Sequence, residues 1–106
     1  MTKQTAKPYP IFLGSEIEQA DPETAMFHIL PVPYEKSVSY GSGTALGPKA
    51  ILKASWQLEQ WDGKSKPCDL GIHTCEAVDC DIEPEQVIEN IAQATRDILE
   101  QGGMPV

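Results

Sequence analysis

An α/β fold built on a parallel sheet is the architecture this sequence predicts. A short apolar run, 25–30, is closed by Pro31 and Pro33 and is too short for a helix. Two later stretches carry apolar residues at helical spacing, around 48–58 and 84–101. After Gly102 and Gly103 the chain turns apolar again at Met104. Strand, helix, strand, helix, strand in that order demands crossover connections, which place strands parallel and helices over the sheet faces.

The elements follow one by one. Residues 1–11 form a polar, Pro-containing arm that is expected to be flexible, and 12–23 is a mixed segment with a turn at Asp21-Pro22. The first strand is expected over 25–32, buried, with the prolines ending its hydrogen-bonding ladder. Gly47-Pro48 opens a helix, because proline at the first helical position gives up only an amide that would be unpaired. In that helix Ile51, Ala54, Ser55 and Leu58 make the inward stripe, widened by Leu52 and Trp56, while Lys49, Lys53, Gln57 and Gln60 point away. Residues 62–67, "DGKSKP", are a turn, and "CDLGIHT" at 68–74 suggests a short second strand. Pro84, with Glu83, Glu85 and Glu89 near the positive helix end, starts the longest element. Its stripe is Val87, Ile88, Ile91, Ala94, Thr95, Ile98 and Leu99, and Gly102-Gly103 stops it.

Bulk composition narrows the function classes. The 106 residues fit one small domain or a piece of a larger one. Sixteen acidic against eight basic residues give a net charge of −8, which disfavours nucleic acid and anionic membrane as partners and suits a cationic ligand. No run approaches the roughly 18 apolar residues of a membrane helix, the N-terminus has no signal-peptide pattern, and three cysteines make no disulfide framework. A cytoplasmic setting is the expectation.

The Gly-, Ser- and Tyr-containing connection at 34–46 follows a strand and precedes a helix. It should therefore lie at the carboxyl end of the sheet, where open α/β folds bind ligands. It is no phosphate cradle: no two glycines have P-loop spacing, and Leu46 stands where a dinucleotide fingerprint needs glycine. A lip over a ligand and a plain connecting loop both remain open on the residues alone. Cys68, His73, Cys75 and Cys80 are spaced Cys-x4-His-x-Cys-x4-Cys without a Cys-x-x-Cys pair, so ordinary cysteines are expected rather than a zinc site. Asp69, Asp79 and Asp81 flank turns and are expected to cap backbone amides. His28, inside an apolar strand, is expected to be a hydrogen-bonded core residue.

Several blocks, in order and at similar spacing, resemble the N-terminal part of agmatinases in the arginase/agmatinase ureohydrolase family. They are "FLG" (12–14), "LPVPYE" (30–35), "SYGSGT" (39–44), "GPKAILKAS" (47–55) and "GIHT" (71–74). The resemblance runs from about Phe12 to the last residue. It implies a three-layer α/β/α sandwich around a parallel sheet, of which this chain is an incomplete N-terminal fragment. It also implies hydrolysis of the guanidinium group of agmatine to putrescine and urea, a step in polyamine biosynthesis, with two Mn ions activating the water. Guanidinobutyrate or another guanidino compound is the alternative substrate, and a non-catalytic binding or assembly module is the alternative class. The complete family enzyme is expected to be a trimer or hexamer. The family's metal-ligand segments, Gly-Gly-[Asp/Glu]-His and Asp-Ala-His-x-Asp, are not in the sequence. The chain by itself is therefore expected to hold no Mn, to have no catalytic residue and to be inactive. Tyr34, Ser39 and Tyr40 are the expected substrate-loop residues, because aromatic faces attract guanidinium groups.

Overall fold

A computed structural model describes residues 9–36 and 43–106 of the chain. Three strands, β1 (Phe27–Ile29), β2 (Ile72–Thr74) and β3 (Met104–Pro105), form one parallel sheet in the order β2-β1-β3. Helix α1 (Gly47–Ala54) connects β1 to β2, and α2 (Pro84–Glu100) carries the chain from β2 across to the other side of β1. The register sets Phe27 opposite Ile72 and Met104, and His28 opposite His73 and Pro105. The predicted parallel α/β order is the observed one.

Side-chain alternation along β1 divides the molecule into two cores. Phe27 and Ile29 pack with the buried cluster of Leu13, Cys68 and Ile72, joined by Phe12 and Ile17. His28 points to the opposite face, where α2 lies through Ile98 and the Gly102-Gly103 turn. The first strand is shorter than the expected 25–32. Ala25 is already committed to the preceding turn, its amide donating to Asp21 at 3.0 Å, and beyond Leu30 the prolines have no amide to give.

Two expectations about the elements are corrected. The "CDLGIHT" segment is not strand from its start: Pro67–Leu70 is a 3-10 turn, ended by Gly71 at φ 93. A side chain at Gly71 would bring its Cβ within 3.0 Å of the Ala25 backbone, so glycine permits both the left-handed angle and the close approach. The α1 stripe is also turned. Leu52 and Ser55 are buried, whereas Ile51 is 66% exposed and Leu58 lies outside. Ser55 is held inward: its hydroxyl accepts from the Leu13 amide at 2.9 Å and donates to the Leu52 carbonyl. A buried amide left without that acceptor would be costly. Ile51, one turn earlier, stands at the edge of the buried face and lines a surface groove instead.

Trp56, in the 3-10 turn Ser55–Gln57 that continues α1, donates its indole N–H to the Ile11 carbonyl at 2.8 Å. Ile11, the last residue of the expected arm, is thus held against the domain, and residues 1–8 of that arm lie outside the described residues. Turns behave as expected at Asp62, whose Oδ1 accepts from Lys64 and Ser65, and at Asp79, which accepts from the Asp81 amide. The two Asp62 bonds hold its carboxyl below the usual carboxylate range.

Candidate functional site

The carboxyl end of β1 is where the sheet, α1 and the segment 30–32 meet. Beyond Ile29 the chain passes through Leu30, buried Pro31 and Val32, and the Tyr34 amide turns back onto the Val32 carbonyl at 2.9 Å. This is a tight three-residue turn of the kind common at strand ends. An apolar groove of about 270 Å³ opens here, walled by Ile29, Pro31 and Val32 on one side and Pro48, Ile51 and Leu52 on the other. Its position at the carboxyl end of a parallel strand is where open α/β sheets bind ligands.

Tyr34 is half-buried at the exit of this strand. Ser39 and Tyr40, the other two expected substrate-loop residues, lie outside the described residues. The structure brings in a residue that sequence reasoning missed. Glu35 Oε1 accepts from the Gly43 amide at 3.1 Å and from the Ala45 amide at 2.7 Å, joining the exit of β1 to the turn that leads into α1. That turn, Thr44–Leu46, is preceded by Gly43 at φ 108 and has no side-chain cap of its own. In the sequence Glu35 stands out only as the last residue of the 30–35 block and as an acidic residue several positions ahead of a helix start, too far for any local capping pattern. On the other side of Glu35, the Lys36 ammonium donates to the Ile82 carbonyl.

A second cavity, of about 230 Å³, lies between α2 and the β1–β2 pair. His28, His73, Cys75, Glu76, Asp97 and Gln101 are among its lining residues. His28 is 2% exposed and its Nε2 has no hydrogen-bond partner among the described residues, which corrects the expectation of a satisfied core histidine. Its ring edge is pressed against Gly103, where a Cβ would come within 2.5 Å of Cδ2 and 2.7 Å of Nε2. The His73 ring sits beside it with centroids 5.6 Å apart, and His73 Nδ1 is engaged with the Ala20 carbonyl at 2.9 Å.

These donors do not fit a metal ion. Among the described residues no three His, Cys, Asp or Glu side chains are placed to hold one. One histidine is closed off by the Gly103 backbone and the other is already bonded at Nδ1. Burial pushes the Cys75 thiol above its ordinary value; burial and the Asp79 charge do the same for Cys80, so both sulfurs stay protonated and poor ligands at neutral pH. All three cysteines are free, and Cys68 is buried with its sulfur 3.6 Å from Gln60 Oε1. Among the described residues no helix is long and apolar enough to cross a membrane.

Comparison with known proteins supplies what geometry alone does not. A stretch of 67 residues is 45% identical to an N(1)-aminopropylagmatine ureohydrolase of Synechocystis sp., covering 60% of this chain and 22% of that protein. Over 58 residues the chain is 43% identical to an N(1)-aminopropylagmatine ureohydrolase of Thermus thermophilus, covering 53% of this chain and 20% of that protein. The matched stretch is thus about a fifth of the length of these curated relatives. No solved structure gives a significant match. The arginase-family model matches residues 25–106, from the start of the buried β1 segment through α2 to β3, and the chain belongs to the arginase family.

Proposed function

We propose that this chain forms the substrate-facing N-terminal part of a ureohydrolase that acts on a small alkylguanidine. The observation that carries the reading is the arginase-family match spanning all three strands and both helices. The apolar groove and Tyr34 at the carboxyl end of β1 support it, since this is the edge of the sheet where such a ligand would sit. The reaction is addition of water to the guanidinium carbon and cleavage of one carbon–nitrogen bond. Urea leaves, and the substrate nitrogen departs as a protonated amine. With agmatine as substrate the amine is putrescine. The names of the relatives favour a second substrate, the aminopropyl derivative of agmatine, which would release the corresponding triamine.

In this reading the chain's own residues bind and orient. Tyr34 offers an aromatic face to the guanidinium, and Ser39 and Tyr40 belong to the same rim by their place in the sequence. The excess of acidic residues raises the local concentration of a cationic substrate. Manganese dependence and a trimeric or hexameric assembly are part of the proposal, but no step is assigned to the ion because the described residues do not form a site for it.

The test is urea release by the purified full-length gene product, with Mn added, from agmatine, N(1)-aminopropylagmatine and guanidinobutyrate. Turnover of at least one of the two cationic compounds is expected, with guanidinobutyrate a poorer substrate. No urea from any of the three overturns the reading and leaves the chain a non-catalytic member of its family.

A further inference from the structure

We infer that Glu35 is a positioning residue that holds the mouth of the β1–α1 groove in its binding shape, an inference that rests on the ureohydrolase reading. The first amides of a helical turn have no partner within the turn and must find one outside it. Here the turn Thr44–Leu46 lacks a side-chain cap of its own, and the missing acceptor comes from Glu35, eight and ten residues earlier. A single carboxylate oxygen takes both amides, and hydrogen bonds to an ionised acceptor are the stronger kind. Glu35 is half-buried, which shields these bonds from competing water.

The consequence is mechanical. Pro31 and Val32, just before Glu35, form one wall of the groove; Pro48 and Ile51, just after the capped turn, form the other. The Glu35 bonds set the separation of the two walls at their open end. The Tyr34 amide is tied to the Val32 carbonyl and Tyr34 precedes Glu35, so the same bonds hold the backbone that carries its ring. With Oε1 committed to two backbone amides, the role assigned to Glu35 is to shape the groove rather than to contact the substrate.

Kinetics of the full-length protein with agmatine distinguish shape from contact. Glu35→Gln keeps a carbonyl acceptor of the same length without the charge, and KM is expected to stay within about threefold of the parent protein. Glu35→Ala removes the acceptor and is expected to raise KM by about tenfold while kcat changes little. Glu35→Asp, one methylene short, should fall between them and serves if the alanine variant does not fold. The Gly43 and Ala45 amides report independently: their hydrogen-exchange protection should persist in the Gln variant and drop in the Ala or Asp variant. A Gln variant as impaired in KM as the Ala variant overturns the inference and makes Glu35 a direct contact to the cation. Unchanged KM in both the Ala and Asp variants also overturns it, as does amide exchange that ignores the substitution. Absence of activity in the parent protein sinks the ureohydrolase reading instead, and the amide measurement then decides alone whether Glu35 holds the turn.

Discussion

Gly103 lies against the His28 ring with no room left for a side chain. Gly103 needs no special backbone angle; what excludes a side chain is the imidazole 2.5 Å from where its Cβ would stand. The ring is buried, on the central strand of the sheet. Gly103→Ala is expected to cost about 1–3 kcal/mol by overpacking, measured by urea denaturation. In a His28→Ala background the same change should cost much less, because the clashing ring is gone. Equal costs in the two backgrounds would mean that the ring is not the obstacle. The Cys75 thiol gives a pH prediction. Its folded pKa is raised by burial, so the unfolded chain loses this proton first as pH climbs. The stability associated with the neutral buried thiol is complete below the ordinary thiol value of 9.0 and is lost as pH rises through the higher folded value. Denaturation midpoints taken from pH 8 to pH 11 should fall more steeply for the parent protein than for Cys75→Ala.

At the scale of elements, α2 shows how a helical stripe is divided by what it packs on. Val87 and Ile98 are buried, while Ile88 and Leu99, members of the same predicted stripe, are 68% and 56% exposed. Ile98→Ala is expected to destabilise the protein by about 2–4 kcal/mol, since it empties the contact beneath Gly103. Ile88→Ala should stay within about 0.5 kcal/mol, as for other surface changes. Both are read from chemical denaturation, and a larger loss at Ile88 would place that side chain in a contact beyond the described residues. The exposed ion pair of Arg96 and Glu89, 3.7 Å apart, should matter little.

The whole molecule leaves apolar surface on several elements at once. Ile51 and Leu46 by α1, Ile88 and Leu99 on α2, and Met104 and Val106 at β3 are all exposed. Strand β3 pairs only with β1, so among the described residues one of its edges is unpaired. Exposed apolar faces and open strand edges promote association. Residues 1–106 expressed by themselves are therefore expected to self-associate, to bind less than one Mn per chain and to release no urea from agmatine. Sedimentation velocity, metal analysis and a urea assay check the three points. A monodisperse monomer would show that the exposed faces do not stick, and steady turnover would show that this segment contains a hydrolytic centre.

The sequence by itself determined the order of elements, the parallel arrangement and the limits of α2, because proline, glycine and apolar spacing act locally; α1 was expected to reach Leu58 but ends at Ala54 and continues as a 3-10 turn. Pro84 starts α2 as expected, the glycine pair follows its end, and Pro31 and Pro33 follow the first strand as the pattern required. The arginase-family kinship was likewise legible, carried by contiguous blocks such as 30–35 and 47–55. Tertiary structure decided what depends on partners distant along the chain. Ser55 became the acceptor for an amide 42 residues away, and Gly71 cut the second strand short where it meets Ala25. Glu35 became the acceptor for amides eight and ten residues later, and the His28 ring came to lie against Gly103 with its Nε2 unpartnered among the described residues. Periodicity reports which face of an element is apolar; only packing shows which polar atom lies opposite that face, and a buried amide without an acceptor outweighs a modest difference in side-chain hydrophobicity.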